Sequence, residues 1–303
     1  MARLSPGDRV CFVSPASRPE ASLLDRGAEI ITNWGLVVEI SPHALDIHGH
    51  YLAGRDEDRL TDFNDALRDP GVRAIFATCG GKGAYRIVDG LDFAAAHTDP
   101  KPIIGYSETT ILHLALWNRA RIGGLHGPHA AWMDDHYGDE AAESLRAALM
   151  DPRPLTVTQD PDAFTAPVVV EGTAKGLLMG GNLDMLRTSV GWVCPNFDGA
   201  ILLIEAIDMP IGAIDRGLTQ LVRSGRLDGV SGVAIGQFIR AGEPQVDKWS
   251  AIDVLYDRLG PLGVPILGGL PIGHGPSPIT IPLGTATVLD ALAGTLTIQP
   301  ATH

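Results

Sequence analysis

The chain has 303 residues, 45% of them apolar, with 36 glycines and 22 prolines; that is room for two domains and the texture of a compact, turn-rich protein rather than a disordered one. Its 36 acidic against 23 basic side chains leave a net charge of −13, which repels a phosphate backbone or an anionic membrane surface, so neither nucleic acid nor membrane is an expected partner. No apolar stretch approaches the roughly 20 residues that span a bilayer. The opening "MARLSPGDRVCFVSP" lacks the apolar segment and cleavage site of a signal peptide, and the expected location is the cytoplasm.

In chain order, "RVCFVSP" (Arg9 to Pro15) reads as a strand, Ala21 to Gly35 has helical spacing and ends on a glycine, and "LVVEI" (Leu36 to Ile40) is strand-like again. A charged helix over Asp56 to Leu67 follows, then a strand in "VRAIFATCGG" (Val72 to Gly81) and helical spacing over Ala84 to Val88. Next come "KPIIGYS" (Lys101 to Ser107) and the helix after it. Strands alternating with helices predict a parallel sheet covered on both faces, with its usable crevice at the strand carboxyl ends, where both "CGG" and "GYS" fall.

The stretch from Asp151 to Pro167 is rich in Pro and Asp and lacks periodicity, which marks a domain connection. Beyond it, short β-type runs bounded by glycine dominate, with one good helix at about Ala213 to Ser224. The expected fold is therefore α/β: an amino-terminal parallel-sheet α/β domain over 1–152, a linker over 153–167 and a smaller β-rich carboxy-terminal domain over 168–303.

Ser107 stands at a strand-to-helix turn, where a hydroxyl is lifted out of the sheet and the following N–H groups are free. On the local string alone it reads first as a helix N-cap, since caps are far commoner than nucleophiles. The glycine pair in "TCGGKGAYR" (Thr78 to Arg86) allows close backbone approach, so its N–H groups can face a developing oxyanion or a nucleotide phosphate with Lys82 as counter-ion. As a nucleotide loop the string lacks both the G-x-G-x-x-G spacing and a G-K-[ST] ending. Glu205 closes the aliphatic run of "ILLIEAID" and, if buried, needs a partner; His274 in "GLPIGHGP" is fixed between glycines.

His126 and His129, with Asp134, Asp135 and His136, form a second cluster that lacks a third ligand at a recognisable metal spacing and reads as a solvated loop. Cys11, Cys79 and Cys194 are widely spaced and suit reduced thiols. Ser107, Glu205 and His274 together supply nucleophile, orienting acid and base in the order Ser…Glu…His, one of several the triad tolerates.

With "LSPGDRVCFVSPAS", "IIGYSETTILHLAL", "GLLMGGNLDMLRTSVG", "ILLIEAID" and "PIGHG" in order along nearly the whole chain, the sequence resembles the LD-carboxypeptidase family of serine peptidases. That family includes muramoyltetrapeptide carboxypeptidases and the peptidases of microcin C self-immunity. The resemblance implies two domains, the first bringing Ser107 as nucleophile, the second Glu205 and His274. It implies oxyanion donors at the backbone N–H of Glu108 and of Gly80 or Gly81, a homodimer, and no metal or organic cofactor.

The substrate it implies is a small peptide, such as a murein tetrapeptide losing its terminal D-Ala, or alternatively an aminoacyl-nucleotide amide. Three positions depart from the family pattern. Glu108 stands where Asp is common and is expected to alter the rim of the site, Lys82 stands where an aromatic is frequent and is a candidate for the substrate carboxylate, and Ala206 follows Glu205 where a second acid is frequent. A non-catalytic α/β module holding an anion on "CGGKG" is the reading from a different class.

Overall fold

The structure, a computed structural model, describes residues 1–241 and 249–302. The first half alternates as its sequence predicts: β1 (Arg9–Val13), α1 (Ala21–Asn33), β2 (Val37–Ile40), α2 (Asp56–Arg68), β3 (Val72–Ala77), α3 (Ala84–Ile87), α4 (Phe93–Thr98), β4 (Ile103–Ile104), α5 (Thr110–Ala120), β5 (Leu125–His126) and α6 (Asp134–Met150). The second half runs β6 (Leu155–Thr158), β7 (Val169–Val170), β8 (Thr173–Asn182), α7 (Leu183–Thr188), β9 (Ile201–Ile207), α8 (Ile211–Arg223), β10 (Gly232–Ile239), α9 (Ala251–Leu259), β11 (Ile266–Leu267), β12 (Ile281–Pro282), β13 (Ala286–Asp290) and β14 (Thr295–Ile298).

Two sheets result. The first has the order β12-β5-β4-β3-β1-β2; its first-half strands are all parallel, and one edge is covered by β12, which returns from the second half to lie antiparallel to β5. The second sheet has the order β6-β14-β13-β8-β9-β10-β11-β7. In it β8, β9, β10 and β11 run parallel, with antiparallel pairs only at its two flanks. The cause is in the strands themselves: β9 is buried at six successive positions, the double-sided burial of a parallel strand covered by helices. Those helices include α8, whose Ile214, Gly217, Leu218 and Leu221 form one buried stripe at helical spacing.

The segment read as a linker contributes a strand of its own, β6, which pairs with β14. The helix α9 lies where no helix was expected; its Ser250–Asp253 capping box announces its start.

Helix α5 joins the halves. Ile111, Leu112, Ala115 and Leu116 belong to the core under the first sheet, while Leu114 packs into the core under the second. A helix buried on opposite faces must be apolar nearly all round, which is why such a helix follows Ser107. Among the described residues no helix is long and apolar enough to cross a membrane.

Candidate active site

The turn after β4 bears on the helix-cap reading of Ser107. Gly105 has φ +151° and lies so close to Ala77 and Thr109 that a side chain there would collide with both. Ser107 itself has φ +57°, the left-handed region that a non-glycine residue enters at a cost and that recurs at functional turns. It opens a 3-10 turn, Ser107–Thr109, that leads into α5. The N-cap positions of the turn and of the helix are Tyr106 and Thr109, and neither is capped by a side chain. Ser107 is therefore not a helix cap, and its hydroxyl stays free to project into a cleft of about 320 Å³ lined in part by Arg18, Cys79, Gly80, Tyr106, Ser107 and His274.

The loop after β3 leans on this turn. A Cβ at Gly80 would lie 3.0 Å from both Cβ and Oγ of Ser107, and Gly81 has φ +98°. Glycine suits that close contact, and the left-handed backbone at Gly81 favours it. Among the described residues the N–H groups of Gly80, Gly81 and Glu108 donate to no protein acceptor.

Glu205 and His274 arrive from the second half. Glu205, fully buried at the end of β9, accepts from the His274 imidazole, Nδ1 to Oε2 at 2.6 Å, and from Asn182 Nδ2 to Oε1 at 3.1 Å. Asn182 reaches it because β8 and β9 pair with Asn182 opposite Glu205. His126 Nε2 stands 3.9 Å from Oε1, an electrostatic neighbour beyond hydrogen-bond reach. A Cβ at Gly273 would meet the Glu205 side chain at 2.9 Å, so glycine before His274 lets the histidine loop close onto the acid. Gln237 Oε1 accepts the N–H of Gly275 at 2.7 Å and fixes the other side of that loop.

Burial alone would push the Glu205 pKa up, but the neighbouring His274 and His126 imidazoles and the hydrogen bonds it accepts outweigh it and hold the carboxyl at about 2. An ionised Glu205 fixes the His274 tautomer with the proton on Nδ1 and leaves Nε2 as an acceptor. The Tyr106 ring packs edge-on against His274, with centroids 4.6 Å apart, and the Ser107 hydroxyl makes no hydrogen bond to His274 among the described residues.

The His126 and His129 segment is not the solvated loop its sequence suggests. His126 lies on β5 and is 1% exposed; His129 is buried against Tyr106, stacked with centroids 4.4 Å apart. Burial, with His274 nearby, pushes the His129 pKa down to about 3, so it is a neutral ring whose Nε2 lies 3.1 Å from the Tyr106 carbonyl. Asp134 and Asp135 are exposed at the start of α6. Among the described residues no group of three or more His, Cys, Asp or Glu side chains could hold a metal ion. The cysteines are free, and burial raises the Cys79 thiol to about 11 while its Sγ donates to the Ser17 carbonyl.

Residues 10–127 match the LD-carboxypeptidase N-terminal domain and residues 175–289 the LD-carboxypeptidase C-terminal domain. The chain belongs to the LD-carboxypeptidase family. It is 38% identical to a putative carboxypeptidase of Streptomyces coelicolor over 98% of this chain and 95% of that one. It is 32% identical to a probable murein peptide carboxypeptidase of Bacillus subtilis, over 98% and 93%, and 26% identical to the microcin C7 self-immunity protein MccF of Escherichia coli, over 95% and 92%. The fold is that of an MccF-like protein from Bacillus anthracis, with a TM-score of 0.87 at 23% identity, covering 100% and 99%.

Two positions in this LD-carboxypeptidase chain differ from the sequence reading. Lys82 is exposed and lies outside the cleft lining, its backbone N–H held by Ser17 Oγ at 3.1 Å. Arg18 does line the cleft, and among the described residues it has no ion-pair partner. Glu108 turns inward and is 4% exposed instead of shaping the rim. Sequence reasoning passed over Asn182 and Tyr106; the first carried no signal beyond a polar residue after a glycine pair, and the second lay in plain view beside Ser107.

Proposed function

We propose that this chain is a cytoplasmic, homodimeric serine carboxypeptidase that hydrolyses an L,D-amide bond in a small peptide, releasing the terminal D-Ala of a murein tetrapeptide in cell-wall recycling. The observation that carries the reading is the left-handed Ser107 turn opening into the same cleft as His274, with an ionised, buried Glu205 behind the imidazole.

In this reading Ser107 Oγ attacks the scissile carbonyl as His274 Nε2 takes its proton. The tetrahedral oxyanion is met by the N–H groups of Glu108 and of the Gly80–Gly81 pair, which have no competing protein acceptor. His274 passes the proton to the leaving amine nitrogen, D-Ala departs, and a water deprotonated by the same imidazole cleaves the acyl-enzyme. Glu205 holds the tautomer and stabilises the transient imidazolium without itself taking the proton. The substrate's terminal carboxylate suits the guanidinium of Arg18, which has no ion-pair partner among the described residues, better than Lys82, which lies outside the cleft lining.

A second reading, hydrolysis of an aminoacyl-nucleotide amide in a detoxifying reaction, draws on the similarity to MccF over nearly the whole chain. Side-by-side hydrolysis of a tetrapeptide ending in L-diaminopimelate–D-Ala and of an aminoacyl sulfamoyl adenosine separates the two. D-Ala release that vanishes in Ser107→Ala supports the first; cleavage of the adenosine compound alone moves the chain to the second. Full activity in Ser107→Ala refutes the mechanism for both.

A further inference from the structure

The residue after Ser107 does two things at once. Its backbone N–H is one of the oxyanion donors proposed above, and its side chain runs away from the cleft into the protein. There Glu108 Oε1 accepts the N–H of Gly83 at 2.9 Å. Gly83, the residue ahead of α3, has no side chain with which to cap that turn. The carboxyl supplied by Glu108 is the acceptor that the Gly83 N–H finds.

What it holds is the Thr78–Gly83 loop. On its outer side this loop is tied to Ser17: Lys82 N donates to Ser17 Oγ at 3.1 Å, Ser17 N to the Gly80 carbonyl at 3.2 Å, and Cys79 Sγ to the Ser17 carbonyl at 3.0 Å. All three ties lead back to the segment after β1. On its inner side, Glu108 ties it to the element that carries Ser107. Gly80 meanwhile sits in direct contact with Ser107. The distance between the glycine N–H groups and the reacting carbonyl therefore depends on how firmly the inner tie is made, and a donor is effective only when held within a few tenths of an ångström of its place.

We propose that Glu108 is a positioning residue that fixes the Gly80–Gly81 donors in register with Ser107 and so sets transition-state stabilisation, through its side chain and without touching substrate. The proposal rests on the serine-peptidase reading above.

The experiment compares the wild type with Glu108→Ala and Glu108→Gln in steady-state hydrolysis, with active sites counted by endpoint labelling of Ser107 with a fluorophosphonate and folding followed by circular dichroism. The same labelling, followed in time, gives a phosphonylation rate that also needs an oxyanion site but no peptide substrate. Glu108→Ala is expected to lower kcat per labelled site about 100-fold with KM changed less than about threefold, because the loss falls on the transition state. Phosphonylation slows in parallel. Glu108→Gln keeps a weaker, neutral acceptor and is expected to fall only about three- to tenfold below wild type.

The proposal is overturned if Glu108→Ala keeps wild-type kcat per labelled site and loses only the number of sites, which is the signature of a structural role. It is equally overturned if a folded Glu108→Gln is no better than Glu108→Ala. Should Glu108→Ala not fold, Glu108→Gln decides alone: a fall of about three- to tenfold in both kcat and phosphonylation rate at unchanged KM supports it, and an unchanged rate refutes it. If the wild type hydrolyses neither amide, the substrate reading has failed while the phosphonylation rates still test Glu108.

Discussion

The two halves of the molecule build their shares of the cleft from different materials. The first half works with backbone: a serine at φ +57°, glycines at φ +151° and +98°, and N–H groups with no acceptor among the described residues. The second works with buried side chains, an acid and an imidazole 2.6 Å apart with an asparagine on the acid's other oxygen. Backbone geometry costs nothing to hold when substrate arrives but tolerates no added atoms. A buried charge pair tolerates nearby atoms but not the loss of a partner.

The largest effect is expected from the second half. Glu205→Gln preserves shape and the contact with Asn182 but no longer selects the His274 tautomer, and kcat should fall by about 10⁴ while the protein still binds a substrate analogue. Equal binding and an intact kcat would mean that the pair at 2.6 Å is structural. In the first half, Gly80→Ala puts a methyl against Ser107 Oγ. It should cost about 10² to 10³ in kcat, the range for losing one oxyanion donor, with little change in Tm because Gly80 is only half-buried.

Acid separates the halves by pH. Buried His113 and His129 are held neutral, at about 4 and about 3, chiefly by burial. Their unfolded forms take up a proton near 6.5, so the unfolded state binds more protons and stability falls as pH drops below 6.5 toward those values. Glu205, held at about 2 against an ordinary 4.5, has the sign of a depressed acid. Its contribution is complete above pH 4.5 and is lost as pH falls to about 2. Tm should therefore decline from pH 6.5 downward, well before the carboxylates titrate. His113→Gln, whose amide can replace the bond to the Ile103 carbonyl, should flatten the slope between pH 6.5 and 4 and leave the lower limb alone.

The smallest effects lie at the mouth. Arg18→Ala should raise KM for the tetrapeptide about tenfold with kcat nearly intact, the scale of one charge-assisted contact. Lys82→Ala should change either constant by less than about twofold, as exposed substitutions usually do. The reverse ranking would return the carboxylate to Lys82.

Most of the first half was legible in advance because its signals are local. The β1 to α5 alternation follows from short apolar runs and 3.6-residue spacing, and "GYS" and "CGG" announce themselves as strand-end turns. Whether Ser107 caps or attacks was not legible, since both need the same residue in the same place and only the backbone angle separates them. His126 and His129 looked like loop residues because glycine and proline surround them in the chain; β5 carries His126 into the interior between β4 and β12, and His129 packs against Tyr106. Asn182 was invisible for a sharper reason. Its role depends on the register of β8 against β9, a fact shared between segments 23 residues apart. The parallel direction of the second sheet's centre was lost in the same way, because a short apolar run does not say which way its neighbour points.

One short strand has a consequence for how the chain comes to be folded. β12 completes the edge of the first sheet beside β5, yet it is synthesised about half a chain length after it. A nascent chain carrying both Ser107 and its glycine loop therefore still presents an open sheet edge, the kind of surface that captures other strands. Pairing across so long a separation is slow to close. The sheet that carries Ser107 is thus finished by a segment that emerges long after it, and the hydroxyl is complete in its surroundings only when His274, seven residues ahead of Ile281, has arrived on the same strap.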